Sequence, residues 1–289
     1  MTLYRLRHLT RYQYESPVVH AHHVARMRPM PSPFQRVLSS EITTSPEATF
    51  TASVRDYYGN LQDFFEILKD HDVLEVTAVS EVEPLLRRPG GALEGYALTW
   101  EDARLVASAP YTEVEDFGYD SPLVRVHPDL RAYAAPSFPP GRRIVEAVSD
   151  LNQRIFDEFA YDPAATDVTT PLGEVLREKR GVCQDFAHLA IGCLRSLGLP
   201  ARYVSGYLET APPPGEERLV GADASHAWAE VHLPGLGWLE FDPTNAVLPS
   251  TKHIRVAHGR DFSDVSPLKG VVLGGGRHTL TVEVDMAPI

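Results

Sequence analysis

Between Leu3 and Val82 apolar and polar residues alternate in short runs broken by turn residues: YRLRHLTRYQYE, VLSSEITTSP, TFTASVRDYYGN, LQDFFEIL and VLEVTAVSEVE. A period of two sends successive side chains to opposite faces of a strand, so these runs predict an antiparallel β-sandwich over residues 1–83. Asp56-Tyr57-Tyr58-Gly59-Asn60 has the Gly/Asn chemistry of a hairpin loop between two of them. Residues 84–142 lose the period and are rich in Pro and Gly, as in PLLRRPGGALEG and APSFPPGRR, which predicts a connector with sparse, short regular structure.

The period then changes from two to between three and four. Ile144, Val148, Leu151, Ile155 and Phe159 fall on one side of a helix. Thr170-Pro171 reads as the start of a second helix, with Thr as cap and Pro in the first turn, ended by Gly181. A third runs from Cys183 to Leu197 with Phe186, Ala190, Cys193, Leu194 and Leu197 as its buried stripe, and Gly198 followed by Pro200 stops it. Strands follow: ARYVSGYL, SHAWAEVHL and GWLEFDPT, and near the end HTLTVEVDM. The second domain is therefore expected over residues 143–250, with 251–289 as a C-terminal extension ending in a strand. The whole reads as an α+β chain.

Composition narrows the partners. With 27 Lys plus Arg against 39 Asp plus Glu, the formal net charge of -12 opposes phosphate backbones and anionic lipid, so neither nucleic acid nor a membrane surface is expected to bind. No apolar run approaches the roughly 18 to 20 residues that span a bilayer, and MTLYRLRHLTRYQYESP alternates where a signal peptide has a continuous apolar core, so a cytoplasmic protein is expected. The two cysteines, Cys183 and Cys193, lie ten positions apart in one helix, roughly 15 Å at 1.5 Å per residue, too far to pair. Cys193 falls on the apolar stripe and reads as core.

Cys183 stands instead in the first turn of its helix, where unpaired N–H groups and the helix dipole favour a negative charge. Its backbone N–H is positioned to meet the oxygen of a carbonyl under attack, and Gly181 lets the chain turn into the helix. A thiol nucleophile needs a base, and the base needs a carboxylate to orient it. If SHAWAEVHL and GWLEFDPT form a hairpin with its loop centred on Pro234, His226 faces Asp242 directly, while Ala227, Ala229, Val231, Leu233, Leu239 and Phe241 share the opposite, apolar face. Trp228 and Trp238 then fall on the site face with Glu230 and Glu240, which suggests an aromatic and acidic cleft wall. His188, five residues after Cys183, points well round the helix from the thiol and reads as structural.

Two other features carry less chemistry. In His20-Ala21-His22-His23, histidines at alternate strand positions can share a metal, but no Cys, Asp or Glu stands at ligand spacing in the sequence, so a solvated or structural role is expected. Gly274-Gly275-Gly276 precedes a strand rather than a helix and reads as the approach to a hairpin, not a phosphate loop.

The segments GVCQDFAHLAIGCLRSLGLPARYVSGYL and SHAWAEVHLPGLGWLEFDPTN, within Ile144 to Asn245, resemble the core of the transglutaminase-like superfamily, whose bacterial members are described as cysteine proteases. RMRPMPSPFQ and VRDYYGN resemble the N-terminal region found with that bacterial core, and VAHGRDFSDVSPLKGVVLGGGRHTLTVEV resembles its C-terminal extension. The resemblance implies a papain-like core, with the nucleophile's helix packed on an antiparallel sheet that carries His and Asp. It also implies Cys183 as nucleophile, His226 as general base and acid, and Asp242 as orienting carboxylate. Tyr161 and Gln184 are the side chains considered for an oxyanion donor and the cleft. The expected reaction is cleavage of an amide bond in a peptide or protein through a thioester. A protein-glutamine transglutaminase and a catalytically silent peptide-binding module are the alternatives. Some animal transglutaminases require calcium, but no run of acidic ligands resembles a calcium loop here, and no cofactor or metal is expected.

Overall fold

The computed structural model describes residues 2–85, 93–107, 114–209 and 225–289. In the sequence a long loop with Pro212-Pro213-Pro214, residues 210–224, stands just before His226 and is expected to border the cleft; it lies outside the described residues.

Strand β1 (Tyr4–Ala25), 22 residues long, organises the N-terminal part. Its first half pairs with β5 (His71–Pro84) on one side and β13 (His278–Pro288) on the other. Its second half pairs with β4 (Leu61–Ile67) and β12 (Leu268–Gly274). With β2 (Gln35–Ser45) and β3 (Phe50–Arg55) at the edges, the described residues form a seven-stranded antiparallel sheet in the order β2-β5-β1-β4-β3, with β12 and β13 on β1. The partners change across a break between Gln13 and Val18, where Pro17 has no N–H to give a ladder. The bend folds the sheet over one core. Phe65 and Ile67 of β4 meet Leu74, Val76 and Ala78 of β5 in one core with Tyr14, Val18, Ala21 and Ala25 of β1.

The glycine run proves to be a kink rather than a hairpin approach. β12 and β13 both run antiparallel to β1, so they are successive parts of one path along it. Gly274, Gly275 and Gly276 have φ of 97°, 84° and 62°, the left-handed region that L side chains avoid, and a Cβ on Gly274 would lie 2.5 Å from Pro17 O. They carry this path round the same corner that Pro17 makes in β1.

The second part is built on a four-stranded antiparallel sheet among the described residues, β10-β9-β8-β11: β8 (Ala201–Leu208), β9 (Ser225–Leu233), β10 (Gly237–Phe241) and β11 (His253–Gly259). The Cys183–Ser196 helix packs on its Ala227, Ala229 and Val231 face, as the alternation implies. This helix is buried from Asp185 to Arg195, all round rather than along one stripe, because other helices cover its far side. It ends as expected at Gly198, whose N–H donates to Arg195 O, while Leu199 N–H reaches back to Leu194 O. The preceding helix differs from expectation at both ends. It spans Leu172–Glu178, Thr170 bonds to Asp167 instead of capping it, and its left-handed terminal residue is Lys179 rather than a glycine. The 84–142 region contains helices at Trp100–Ala107 and Pro128–Ala134 among its described residues. Among the described residues no helix is long and apolar enough to cross a membrane.

The two parts are joined through the outer edge of β11. Gln35 Nε2 donates to Arg255 O at 2.7 Å and its Oε1 accepts from Arg255 N–H at 2.9 Å. Asn60 does the same with His258, at 2.8 and 2.9 Å. Two side-chain amides thus satisfy an edge strand that would otherwise offer an open ladder.

Candidate active site

Cys183 is the first residue of its helix, and the chain is bent into position by a cap. β7 (Arg180–Gly181) pairs in parallel with β6 (Ala160–Tyr161), and Asp162 N–H donates to Gly181 O at 2.9 Å. The buried Asp185 carboxylate accepts from Val182 N–H at 2.8 Å and from the Thr166 hydroxyl at 2.6 Å. Burial pushes its carboxyl up, against those hydrogen bonds. Gly181 is needed for space rather than for a turn: a Cβ there would lie 2.6 Å from Asp185 Oδ2 and 2.9 Å from Asp185 Cβ. Gly181→Ala is therefore expected to displace the cap and to cost about 1–3 kcal/mol of stability. Urea denaturation measures this, and an unchanged midpoint would refute it.

His226, second in β9, is buried, and its Nε2 lies 2.8 Å from Asp242 Oδ2. The Cys183 side chain is a further hydrogen-bond partner of the ring. Burial alone would lower the imidazole, but the hydrogen bonds with Asp242 and Cys183 outweigh it and push it up to about 10. The Asp242 carboxyl is buried too, which would raise it, yet hydrogen bonds from His226, His253 and Asn245 hold it well below the usual carboxylate range. The pair is thus an imidazolium beside a carboxylate.

The two oxygens of Asp242 have separate tasks. Oδ1 accepts from Thr244 N–H at 2.9 Å, a local turn bond. Oδ2 gathers His226 Nε2, Asn245 Nδ2 at 2.7 Å and His253 Nε2 at 3.1 Å. Ser250 N–H approaches His253 Nδ1 at 3.3 Å, so Nδ1 acts as acceptor and the proton that points at Asp242 sits on Nε2. Sequence reasoning assigned neither Asn245 nor His253. Asn245 lies in the Asp-Pro-Thr-Asn turn it had quoted, whereas His253 comes from β11 and carries no sequence signal. The ligand atoms of His226, Asp242 and His253 lie within 4.8 Å of one another, a spacing open to a cation, but here they are already joined by hydrogen bonds.

The hairpin register differs from expectation. Gly237 pairs with Leu233 and Phe241 with Ala229, so the loop is centred on Gly235 and Asp242 stands diagonal to His226 rather than opposite it. A slip of two keeps the parity of the faces, and the two side chains still meet.

Trp228 is 0% exposed and stacks at 6.1 Å and 29° beneath His226, so it forms a floor under the imidazole. Trp238 pairs with His232, six residues along β9 from His226 and so roughly 20 Å away, with Arg202 over its ring at 4.1 Å. Glu230 is buried against Arg202 and Arg255; burial would raise it, and the two guanidiniums bring it down to about 2. Glu240 stands 3.7 Å from Arg255. Those carboxylates are neutralised inside the sheet instead of forming an acidic wall. Tyr161 is 56% exposed, and burial and then Cys183 push its phenol up. The Gln184 amide donates to Val168 O at 3.3 Å. Buried His188 accepts from Phe262 N–H at 3.1 Å, and burial lowers it to about 4. Cys193 is fully buried.

Residues 4–83 match the family described as the bacterial transglutaminase-like N-terminal region, and residues 132–243 match the transglutaminase-like superfamily. An uncharacterized protein of Mycobacterium tuberculosis is 40% identical over 291 residues, 99% of this chain and 92% of its own. One from Mycobacterium leprae is 34% identical over 98% of this chain and 97% of its own. A protein-glutamine gamma-glutamyltransferase of Pseudomonas aeruginosa is 38% identical over 106 residues, 35% of this chain and 16% of that protein. The crystal structure of a "Putative Cysteine Protease" from Cytophaga hutchinsonii superposes with a TM-score of 0.77 at 19% identity, covering 100% of this chain and 91% of that one. The chain belongs to the transglutaminase-like superfamily, and it carries the bacterial N-terminal region ahead of the core.

Proposed function

We propose that this protein is a cysteine-dependent acyl-transfer enzyme that hydrolyses amide bonds of peptides or proteins through a thioester on Cys183. The observation that carries this reading is His226, held between the buried Asp242 carboxylate and the Cys183 thiol at a helix start. The proton shared by Cys183 and His226 rests on the imidazole at the outset, and Sγ attacks the amide carbonyl carbon. The oxygen that gains the charge is met by backbone N–H groups of the helix start, Cys183 among them. As the C–N bond breaks, His226 returns its proton to the departing amine and leaves the thioester. A water then gives a proton to His226 and attacks the same carbon. The C–S bond breaks, the acid departs, and Sγ is freed with the proton on His226 as at the outset. Asp242 orients the ring and stabilises its charged form throughout.

A second reading, in which a primary amine replaces water, is supported by the name of the Pseudomonas aeruginosa relative that matches part of the core. Mass spectrometry of a peptide mixture incubated with the protein, with and without a primary amine, separates the two. Cleavage or deamidation is the result expected, and amine incorporation would transfer the assignment to a transglutaminase. No change in either, under conditions where the protein is folded, would favour a silent peptide-binding module.

A further inference from the structure

Far along the chain from Cys183, the outer face of the N-terminal sheet brings together three side chains that the proposed reaction does not use. His20 and His22 lie two apart on β1, with ring centroids 4.6 Å apart. Glu66 of β4 stands opposite His22 in the ladder. Its Oε1 is 2.8 Å from His20 Nε2 and 3.4 Å from His22 Nε2. Strand alternation explains the meeting: the intervening Ala21 is buried in the core, so both imidazoles point outward.

We propose that His20, His22 and Glu66 form a binding site for a first-row divalent cation of the zinc type. In a tetrahedral zinc site with bonds near 2.0–2.1 Å, neighbouring ligand atoms are roughly 3.3 Å apart. Both distances to Glu66 are already close to that, and all three ligand atoms lie within 4.8 Å, so only modest side-chain adjustment completes the set. Two imidazoles and one carboxylate suit Zn²⁺, Co²⁺ or Ni²⁺ better than Mg²⁺ or Ca²⁺, which take oxygen ligands. Three protein ligands leave the fourth position open, and two of them, His22 and Glu66, line a groove of about 630 Å³ with Phe50, Phe64 and Val271. Lys269 lines the same groove, but its ammonium donates to Ser263 O. The cation would lock β1 to β4 and present an open coordination position on an apolar surface.

Equilibrium dialysis with Zn²⁺ and visible spectroscopy with Co²⁺ test the proposal on the full chain. One equivalent should bind, and the Co²⁺ complex should show d–d bands without a sulfur-to-metal charge-transfer band. His20→Ala/His22→Ala should weaken this binding at least about tenfold, and the near-isosteric Glu66→Gln, made on an outward face, should also weaken it. Circular dichroism checks that both variants remain folded. Equal Zn²⁺ affinity in wild type and the double variant would overturn the site. So would wild-type affinity weaker than about millimolar, or a thiolate charge-transfer band, which would place the metal at a cysteine.

Discussion

Replacing Cys183 by Ala should lower turnover on the peptide substrate by on the order of 10⁴-fold or more while the protein stays folded, because the nucleophile is removed and its binding surface is not. The residual rate would reflect the positioning of substrate and the N–H groups of the helix start, which survive the change. Cys183 is only partly buried and sits at the margin of the core, so its contribution to stability is expected to stay within about 1 kcal/mol. Comparing kcat/KM and urea midpoints of the two proteins checks both halves. Unchanged turnover would remove Cys183 from the chemistry altogether. Lost turnover together with lost folding would leave the role undecided for Ala, and Cys183→Ser, which keeps the size, then supplies the folded comparison.

The second large effect is expected from Asp242→Asn, for a different reason. The carboxylate is 0% exposed and one of its oxygens gathers three donors. An amide has the same shape but no charge, and its NH₂ presents hydrogens where His226, His253 or Asn245 also donate. Turnover should fall by about 10³–10⁴-fold, as when a catalytic histidine loses the partner that fixes its tautomer. The titration of His226 offers a readout that a merely structural role would not move. In the wild type the ring is raised to about 10, because the hydrogen bonds to Asp242 and Cys183 outweigh burial. Without the carboxylate, burial meets less opposition, and the ring should titrate well lower by NMR.

The sign of the stability effect follows. A raised imidazole contributes stability that is fully present below its unfolded value, about 6.5, and is lost as pH rises towards 10. The depressed Asp242 contributes stability present above about 3.9 and lost as pH falls below it. The wild-type advantage over Asp242→Asn in urea denaturation should therefore be largest between about pH 4 and 6.5, and should shrink towards pH 10. An advantage independent of pH over that range would show that the pair is not ionised as described.

The helix that presents Cys183 and the parity of the β9–β10 hairpin were legible because local rules control them. The glycine stop at Gly198 and the alternation act over a few residues, and parity survived even when the loop moved from Pro234 to Gly235. Contacts that depend on which distant strands become neighbours were not legible. His253 reaches Asp242 because β11 lies beside β8, and Glu66 reaches the histidines because β4 lies beside β1. Neither adjacency is written in local spacing. Trp228 and Trp238 shared a face as the alternation required, yet one became a buried floor and the other lay roughly 20 Å along the strand, since alternation fixes the side of a sheet but not depth or distance. The glycine run was misread for a related reason: a kink and a turn demand the same residues, and only the partner strand distinguishes them.

The course of β12 and β13 along β1 has a consequence for how the protein is made. β1 leaves the ribosome before every strand it pairs with, and one entire side of its ladder is supplied by strands that follow the whole core, with Tyr4 paired to Pro288. Through most of synthesis that side presents a long unsatisfied edge, the kind of surface on which strands of other chains add. Pairing across nearly the full length of the chain also closes slowly. The nascent protein is thus most exposed to aggregation not while its core is assembling but in the interval before β12 and β13 arrive.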